Sequence, residues 1–267
     1  MKIGIIGGGV MGEILADSLI KKEVFAKEDI EIYDIHERKL FELKEKYGII
    51  PSSSIGSILK KADLIILSVK PQNINDVIIK MKGKLSSNQL IISIIAGVTL
   101  RFLKEGLKHQ RVIRSMPNIA SKISEGMTVW IAGSKADEYD KMLAKMIFQS
   151  FGREVEVEFE DLVDSATAIS GSGPAYIFYI AETLMEAALE LRYDKEDALK
   201  LVMQTFKGSM NLWAETNEEP ETLRHKVTSA KGTTEAAINC FNNGNLKEKF
   251  ISGVKAAYDR SKELGKA

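Results

Sequence analysis

The chain has 267 residues, of which 45% are hydrophobic, and this composition predicts a globular protein large enough for two domains. Its 37 lysine and arginine residues are balanced by 37 aspartate and glutamate residues. A net charge near zero gives no electrostatic reason to expect nucleic acid or an anionic membrane as a partner, so neither is assigned. The single cysteine, Cys240, permits no intramolecular disulfide, which fits a reducing compartment.

Two apolar segments were considered as export or membrane signals. Residues 1–6 are too short for the apolar core of a signal peptide, so none is expected. Residues 175–191 are apolar over a wide face, yet Glu182, Glu186 and Glu190 recur every four residues along them. That spacing predicts a polar stripe on a helix of a water-soluble protein and not a membrane span.

A strand, a glycine turn and a helix follow one another in the first part of the chain. Residues 2–6 form the short apolar run of a buried parallel strand, and residues 13–22 show helical periodicity. Between them, Gly7, Gly9 and Gly12 form the pattern G-x-G-x-x-G. These glycines permit a tight turn, a close approach to a pyrophosphate and packing of the helix on the strand. The motif in this context predicts a Rossmann-type dinucleotide-binding domain.

Asp34 ends the second predicted strand, residues 30–33, and lies 22 residues after the last glycine of the motif. This spacing is close to that of the acid that binds the adenosine ribose 2′-hydroxyl, and its charge favours NAD over NADP. His36 and Arg38 are near enough in sequence to accept a 2′-phosphate, so NADPH and NADH both stay candidate cofactors. The alternative role for Asp34 is the N-cap of a helix that begins near Glu37.

Three more buried strands are predicted, and each ends in residues typical of turns. The strands cover residues 62–69, 90–95 and 111–114, and the turns that follow them cover residues 70–72, 96–99 and 115–118. In an open α/β sheet the ligand lies outside the carboxyl ends of the strands. The three turns are therefore predicted to line one cofactor cleft, although each alone is an ordinary βα loop.

The pattern changes from strands to helices near residue 160. Two closing strands, residues 128–132 and 154–157, are predicted around a helix at residues 138–151. The later predicted helices cover residues 162–169, 175–191, 195–216, 220–227, 233–242 and 246–264. The predicted fold is α/β, with an N-terminal Rossmann-type dinucleotide-binding domain (residues 1–160) followed by an all-helical dimerisation domain (residues 161–267). Dimerisation is expected because about a hundred residues cannot cover such apolar helices alone.

A glycine-serine stretch precedes the most apolar helix of the second half. Pro174 is favoured in the first turn of that helix because it lacks an N–H group, and Ser170 or Ser172 can cap the remaining donors. Small residues let a ligand approach the backbone, and free N–H groups at a helix start favour an anion. The alternative is a tight turn before a core helix.

A second helix start, at residues 229–234, also combines small residues with free backbone N–H groups. The N–H groups of Gly232, Thr233 and Thr234 could hold a carboxylate, and the Thr234 hydroxyl could donate to a substrate nitrogen. The alternative is a plain helix start that Thr233 caps, with Lys231 in solvent.

Six motifs together resemble the pyrroline-5-carboxylate reductase family, in order and spacing over nearly the whole chain. The motifs are residues 7–12, 69–71, 96–99, 114–118, 170–176 and 233–234. The run Ser-Gly-Ser-Gly-Pro-Ala-Tyr at residues 170–176 is the most specific of them. The resemblance implies reduction of 1-pyrroline-5-carboxylate to L-proline, the last step of proline biosynthesis, with NADPH or NADH. It also implies a cytoplasmic homodimer with interlocking helical domains, with a decamer of five dimers as a further expectation.

The resemblance also implies a role for each residue that matches a family motif. Asp34 is added to the cofactor-binding residues because of its spacing from the glycine motif. The cofactor-binding residues would be Gly7, Gly8, Gly9, Val10, Met11, Gly12, Asp34, Ser68, Val69, Lys70, Pro71, Ala96 and Gly97. The substrate-binding residues would be Met116, Pro117, Asn118, Ser229, Lys231, Gly232, Thr233 and Thr234. The catalytic residues would be Thr234, which matches the threonine that hydrogen-bonds the ring nitrogen, and Lys70. No metal ligand is assigned.

Three parts of the sequence depart from the family pattern, and one of them is residues 52–54, which lack the asparagine often found there in members. Members usually have Ser-Pro-Gly-Gly or Ser-Lys-Gly-Gly before the threonines, whereas here Lys231 replaces a glycine and is expected to disfavour a positive φ. Lys231 could instead pair with the substrate carboxylate. Many members carry serine or asparagine, with arginine, where this chain has Asp34, and this difference favours NADH.

The predicted reaction transfers hydride to C5 of a cyclic imine, whose nitrogen must be protonated before or during transfer. No histidine is placed to supply that proton, so Thr234 is predicted to hydrogen-bond the nitrogen while solvent or a protonated substrate supplies it. The helix start at residues 232–234 would fix the substrate over the nicotinamide. Two alternatives remain: a reductase of another imine or 2-oxo acid, and a non-catalytic dinucleotide-binding regulator.

Overall fold

A computed structural model describes residues 1–265. Eight strands form one sheet in the order β3-β2-β1-β4-β5-β6-β7-β8. The strands are β1 (Ile3–Ile6), β2 (Ile30–Tyr33), β3 (Ile50–Pro51), β4 (Leu64–Leu67), β5 (Leu90–Ser93), β6 (Val112–Met116), β7 (Gly126–Ala132) and β8 (Gly152–Glu156). All neighbours pair in parallel except β6 and β7, which are antiparallel.

Twelve α-helices are found in the described part of the chain. They are α1 (Val10–Lys21), α2 (Glu37–Tyr47), α3 (Ile55–Lys61), α4 (Ile74–Met81), α5 (Leu100–Leu107), α6 (Glu138–Gln149), α7 (Asp161–Ala166), α8 (Gly173–Glu190), α9 (Lys195–Thr216), α10 (Pro220–Lys226), α11 (Thr233–Asn243) and α12 (Leu246–Leu264). None of them is both long and apolar enough to cross a bilayer.

Successive side chains of the buried strands lie alternately in two apolar layers. Ile3 and Ile5 belong to the layer that α1, α2 and α6 cover, whereas Ile6 belongs to the layer that α3, α4 and α5 cover. Successive side chains of a strand point to opposite faces, so helices cover both faces of the sheet. This doubly covered, mostly parallel sheet is the Rossmann-type architecture that the sequence predicts.

The strand order reverses at β1, and this reversal places the ligand crevice. β1 pairs on one side with β2 and on the other with β4, so the turns that follow these three strands diverge around a gap. Ligands of doubly wound sheets bind at this switch point, outside the carboxyl ends of the strands. Because β4, β5 and β6 are parallel neighbours, the turns that follow them share that edge, whereas the lining of one cofactor cleft by all three turns stays a prediction.

Two compact units divide the chain. The first contains residues 1–174 and also the chain from Ala257 onward, and the second is the helical stretch 175–256. Strands give way to helices between β8 and α7, as predicted, whereas the division into domains at residue 160 stays a prediction. In the second unit α8 has no fully buried residue, and Phe178 and Tyr179 are 67% and 70% exposed in the single chain.

The elements that the sequence missed are short. β3 has two residues, and α4 and α5 have eight residues each. One prediction is wrong: Ser170 and Gly171 do not begin an open turn, because a π-helical turn, residues 167–171, continues from α7 through them. The Ser172 N–H donates to the Thr167 carbonyl at 2.9 Å, and the Ser170 hydroxyl donates to the Ala166 carbonyl at 3.1 Å. This stretch therefore offers fewer free donors than its sequence indicates.

Candidate active site

The glycine turn between β1 and α1 is shaped by backbone contacts that exclude side chains. Gly7 has a φ of 111°, and a Cβ there would lie 2.5 Å from the Ser68 carbonyl oxygen. A Cβ at Gly12 would overlap the Gly7 carbonyl oxygen, so this glycine lets α1 close onto the turn. A Cβ at Gly9 would meet nothing within 4 Å. The turn is thus closed on the protein side and open over Gly9, where phosphates would fit.

The first backbone N–H groups of α1 are available to an anion. Gly9 is the N-cap and supplies no side-chain hydrogen bond, so the first N–H groups of the helix have no capping side chain. Glu13 places an acid in this turn, but its Oε1 accepts hydrogen bonds from Lys46 Nζ at 2.8 Å and Tyr47 Oη at 2.9 Å. The Lys46 ammonium holds the pKa of Glu13 below its ordinary value and compensates its charge.

Asp34 is tied to the glycine turn. Its Oδ2 accepts the Gly8 N–H at 2.8 Å, and its Oδ1 accepts the His36 N–H at 2.8 Å. The N-cap of α2 is His36, so the alternative in which Asp34 caps that helix is wrong. Each carboxylate oxygen keeps a further acceptor site, which leaves Asp34 able to accept ribose hydroxyls.

A cleft of about 290 Å³ lies at the carboxyl ends of β1, β2 and β4. It brings together six of the predicted cofactor residues: Gly7, Gly9, Asp34, Ser68, Val69 and Lys70. The sequence missed other lining residues, among them Ile35, Lys39, Asn73, Asp76, Val77 and Lys80. Most of these lie on or beside α4, which was not predicted, so nothing in the sequence pattern pointed to them.

Ser68 indicates that a polar group belongs in this cleft. Its N–H donates to the Ile6 carbonyl at 2.9 Å, which fixes it at the end of β4. Its Oγ is buried and has no hydrogen-bond partner within residues 1–265. Buried hydroxyls normally have a partner. A dinucleotide fits the residues present: an unpartnered hydroxyl, free donors at α1, open space over Gly9 and a carboxylate for the ribose.

The turn after β6 is held against the π-helical turn. Asn118 Nδ2 donates to the Ser170 carbonyl at 3.0 Å, and its Oδ1 accepts the Ala120 N–H at 3.2 Å. A Cβ on Gly171 would lie 2.9 Å from Met116 Cε, so this glycine makes room for the methionine. The side-chain amide of Asn118 therefore keeps one N–H free for a ligand.

The turn before α11 belongs to the second unit. Gly232 is the N-cap, without a side-chain hydrogen bond, so the alternative in which Thr233 caps the helix is wrong. The N–H groups of Thr233 and Thr234 thus begin the helix without a capping side chain. The Gly232 N–H donates to the Ser229 carbonyl at 3.0 Å and closes the turn.

Lys231 keeps the backbone shape that a glycine would give. Its φ is 59°, so the expectation that a lysine disfavours a positive φ here is wrong for this structure. The Lys231 N–H donates to Glu235 Oε2 at 2.6 Å. A carboxylate at the third helical position can accept a donor that precedes the helix, and this bond supports the left-handed residue. Glu235 was not singled out from the sequence, although a glutamate three residues after an N-cap is a known signal.

Two family models match the chain, one in each half. Residues 2–97 match the model described as NADP oxidoreductase, coenzyme F420-dependent, and residues 160–264 match pyrroline-5-carboxylate reductase dimerisation. A pyrroline-5-carboxylate reductase of Methanosarcina acetivorans is 38% identical over 99% of this chain and 98% of its own length. The chain belongs to the pyrroline-5-carboxylate reductase family.

Further family members agree over the full length. A pyrroline-5-carboxylate reductase of Synechocystis sp. is 37% identical over 100% of this chain and 99% of its own length. The solved structure of one from Coxiella burnetii covers 100% of this chain and 99% of its own, with 38% identity and a TM-score of 0.89. The solved structure of a Plasmodium falciparum pyrroline carboxylate reductase with NADP bound covers 99% of this chain and 98% of its own, with 28% identity and a TM-score of 0.91.

Proposed function

We propose that this chain reduces 1-pyrroline-5-carboxylate to L-proline with NAD(P)H, the last step of proline biosynthesis. The observation that carries the proposal is the 38% identity to a pyrroline-5-carboxylate reductase over 99% of the chain, combined with a cleft suited to a dinucleotide. In the balanced reaction one hydride forms the new C–H bond at C5, and one proton is added at the ring nitrogen. The substrate is a small molecule, and no metal is needed for either step.

The cofactor would lie along the carboxyl ends of the strands. We assign its pyrophosphate to the turn at residues 7–12, its ribose to Asp34 and its nicotinamide half to the side of β5 and β6. Residues 68–71, Ala96 and Gly97 complete this binding surface. The nicotinamide supplies the hydride, and the protein supplies position and electrostatics. Asp34 would repel a 2′-phosphate, so we propose a preference for NADH over NADPH.

The substrate carboxylate would bind the start of α11. Ser229, Lys231, Gly232 and Thr233 are assigned to that carboxylate, because a helix start without a side-chain cap is suited to an anion. The Thr234 hydroxyl is assigned to the ring nitrogen. Met116, Pro117 and Asn118 would flank the nicotinamide and the substrate, and Lys70 is the second candidate catalytic residue.

We further propose a cytoplasmic homodimer that the second unit forms, with a decamer of five dimers as its larger assembly. The match of residues 160–264 to a dimerisation model supports an oligomer. The exposed apolar side chains of α8 support the same interface, because large apolar patches on a monomer are uncommon. Cys240 is the one cysteine of the chain, and it fits a reducing compartment. Sedimentation of the purified protein measures the assembly directly.

The test of the reaction is oxidation of NADH and NADPH, followed by absorbance with 1-pyrroline-5-carboxylate as substrate. We expect turnover with both cofactors and a higher kcat/KM with NADH. Thr234→Ala should lower kcat by about tenfold to a hundredfold because it removes a positioned hydrogen bond, and Thr234→Ser should retain most of the rate. Full turnover by Thr234→Ala at every pH would refute the role of Thr234.

The outcome also separates the alternatives. Folded protein that binds NADH but reduces no imine would be a dinucleotide-binding regulator, and turnover on a different imine or a 2-oxo acid would be a related reductase. The departure at Lys231 was the sequence feature that favoured these alternatives. Since Lys231 keeps a positive φ, that feature no longer argues against the reductase.

A further inference from the structure

The last turn of α12, residues 261–265, packs against the turn that follows β5. Gly97 has a φ of 76°, and a Cβ there would lie 2.8 Å from Leu264 Cβ and 3.0 Å from the Gly265 nitrogen. A Cβ on Gly265 would in turn overlap the Gly97 carbonyl oxygen. The two backbones therefore meet without space for a side chain on either glycine.

A buried ion network connects the same helix turn to the other end of that loop. Ser261 is 2% exposed, and its Oγ donates to Asp164 Oδ1 at 3.3 Å. Asp164 pairs with Arg114, whose guanidinium is 1% exposed and also donates to Glu160 Oε1 at 2.9 Å. The same Glu160 oxygen accepts the Leu100 N–H at 2.6 Å, at the start of α5. The turn at residues 96–99 is thus held from both ends.

Arg114 is unusual for its position in the sheet. It lies on β6 among fully buried neighbours, and a buried cation is costly unless carboxylates surround it. Its two carboxylate partners come from α7 and from the residue that precedes it, and one of them accepts a hydrogen bond from α12. Through these contacts the helix turn at residues 261–265 is bound to the sheet unit.

By the order of the strands, the held turn lies at the part of the sheet edge to which the proposed function assigns the reacting end of the cofactor. The proposed function assigns the pyrophosphate to the glycine turn after β1 and the adenosine side to Asp34 after β2, and both line the same cleft. The strand order continues from β1 through β4 to β5 and β6, so the turns after β5 and β6 lie on the opposite side, where the nicotinamide half extends.

We propose that Ser261, Leu264 and Gly265, at the end of α12, form a brace that positions the nicotinamide ring by fixing the turn at residues 96–99, an inference that rests on the proposed function. Ser261 and Gly265 are positioning residues: they touch the loop and the ion network, not the reacting atoms. Loosening the brace lets the nicotinamide half move while the pyrophosphate and adenosine contacts stay intact. The hydride-transfer rate then falls more than the affinity for the cofactor.

Two variants loosen the brace, and two matched variants control for them. Gly265→Ala forces a Cβ against the Gly97 carbonyl, and Ser261→Ala removes one hydrogen bond without changing shape. Glu263→Ala is the control in the same turn, because Glu263 is exposed and, within residues 1–265, its ion pair is with Arg260 on the surface. Gly253→Ala is the control for added bulk on α12, since a Cβ there meets nothing within 4 Å.

Three measurements are made on the full-length protein. The first is kcat and the KM for NADH with 1-pyrroline-5-carboxylate. The second is the fluorescence lifetime of bound NADH, which reports how firmly the nicotinamide ring is held. The third is hydrogen–deuterium exchange of the peptide covering residues 94–103 without cofactor, which reports the Leu100 N–H directly.

We expect Gly265→Ala to lower kcat by about tenfold or more while the KM for NADH changes by less than about threefold. It should also shorten the lifetime of bound NADH and speed exchange at residues 94–103. Ser261→Ala should change the same three quantities in the same direction by less, and both controls should match the parent protein. Equal values for Gly265→Ala and Glu263→Ala would overturn the brace. If Gly265→Ala does not fold, unchanged kcat and exchange in Ser261→Ala would overturn it instead.

Failure of the proposed reaction would remain distinguishable from failure of the brace. A parent protein that binds NADH but does not turn over 1-pyrroline-5-carboxylate would refute the reaction. The lifetime and exchange measurements would still differ between Gly265→Ala and Glu263→Ala if the brace exists, because neither depends on turnover.

Discussion

The cofactor cleft and the turn at residues 229–234 keep their shapes by different means. In the cleft, strand ends and close glycine contacts leave no room for a side chain at Gly7 or Gly12. At residues 229–234, Lys231 holds a left-handed conformation with the help of one Glu235 hydrogen bond on an exposed helix. The first site depends on steric exclusion, which tolerates almost no substitution. In the second, the left-handed conformation of Lys231 is supported by one polar contact, so that residue can be adjusted by one side chain.

The largest effect expected from this difference is at Gly12. Gly12→Ala places a Cβ onto the Gly7 carbonyl oxygen, so the turn must open. We expect the Kd for NADH to rise by more than about a hundredfold and the melting temperature to fall by several degrees. Calorimetry and NADH titration measure the two effects separately.

Gly9→Ala is the matched variant for that experiment. Its Cβ meets nothing within 4 Å, so the melting temperature should not change. The added methyl occupies the open space assigned to the pyrophosphate, and we expect the Kd for NADH to rise by about tenfold or more. Normal affinity in Gly9→Ala would place the phosphates elsewhere.

A smaller effect is expected at Asp34, where the cleft selects between cofactors. Asp34→Asn keeps one acceptor oxygen for a backbone N–H but removes the charge that repels a 2′-phosphate. We expect the ratio of kcat/KM for NADPH to that for NADH to rise by about tenfold or more. A parent protein that already prefers NADPH would show that His36 and Lys39 outweigh the carboxylate.

The sequence predicts the cleft better than it predicts the turn, and the reason is physical. The cleft follows from local patterns: an apolar strand, a G-x-G-x-x-G turn and strands that end at one edge. The left-handed conformation of Lys231 depends on the Glu235 side chain, four residues later. The ion network of Arg114 joins residues that are far apart in the chain. A cation within an apolar strand signals buried carboxylate partners, but it does not say which ones.

The same contrast explains the wrong prediction for Ser170 and Gly171. Glycine and serine indicate a turn by local preference, yet packing around Met116 and Asn118 selects a π-helical turn there. Such turns are frequent at functional sites and have no reliable sequence signal. The helices of the second unit were predicted well because their apolar periodicity extends over many turns.

Substitution of Glu235 tests whether one polar contact shapes the turn at residues 229–234. We expect Glu235→Ala to raise the KM for 1-pyrroline-5-carboxylate by about fivefold, because Lys231 loses the bond that supports its positive φ. The KM for NADH should not change. Glu235→Gln keeps an acceptor and should restore most of the affinity. Equal KM values in all three proteins would show that the turn needs no such support.

The smallest effect concerns the stability of the sheet unit. His109 is 5% exposed, its Nε2 lies 2.7 Å from the Gln89 carbonyl oxygen, and burial lowers its pKa below the ordinary value. The unfolded chain therefore binds more protons than the folded one between the lowered pKa and about 6.5, so stability falls as pH falls through that window. The slope from this one group is at most about 1.4 kcal/mol per pH unit.

The two tryptophans allow that measurement to be made on the sheet unit alone. Trp130 is buried in the sheet unit, whereas Trp213 lies on α9 in the helical unit. In a Trp213→Phe background, urea unfolding followed by Trp130 fluorescence should become less dependent on pH when His109 is replaced by glutamine. The KM values should not change, since His109 lines neither the cleft nor the turn at residues 229–234. An unaltered pH dependence would assign the acid sensitivity to other groups.

Because the brace lies at the end of the described chain, it sets the order in which the parts of the cleft are completed during synthesis. All eight strands and the glycine turn leave the ribosome long before residues 257–265, because the whole helical unit is translated in between. Domains generally fold as they emerge, so the nascent sheet can assemble first with the turn at residues 96–99 not yet held. The side of the sheet edge that we assign to the nicotinamide is then completed only after the helical unit has been made. A chain that stalls in the helical unit would expose a nucleotide-binding sheet without a finished reaction site.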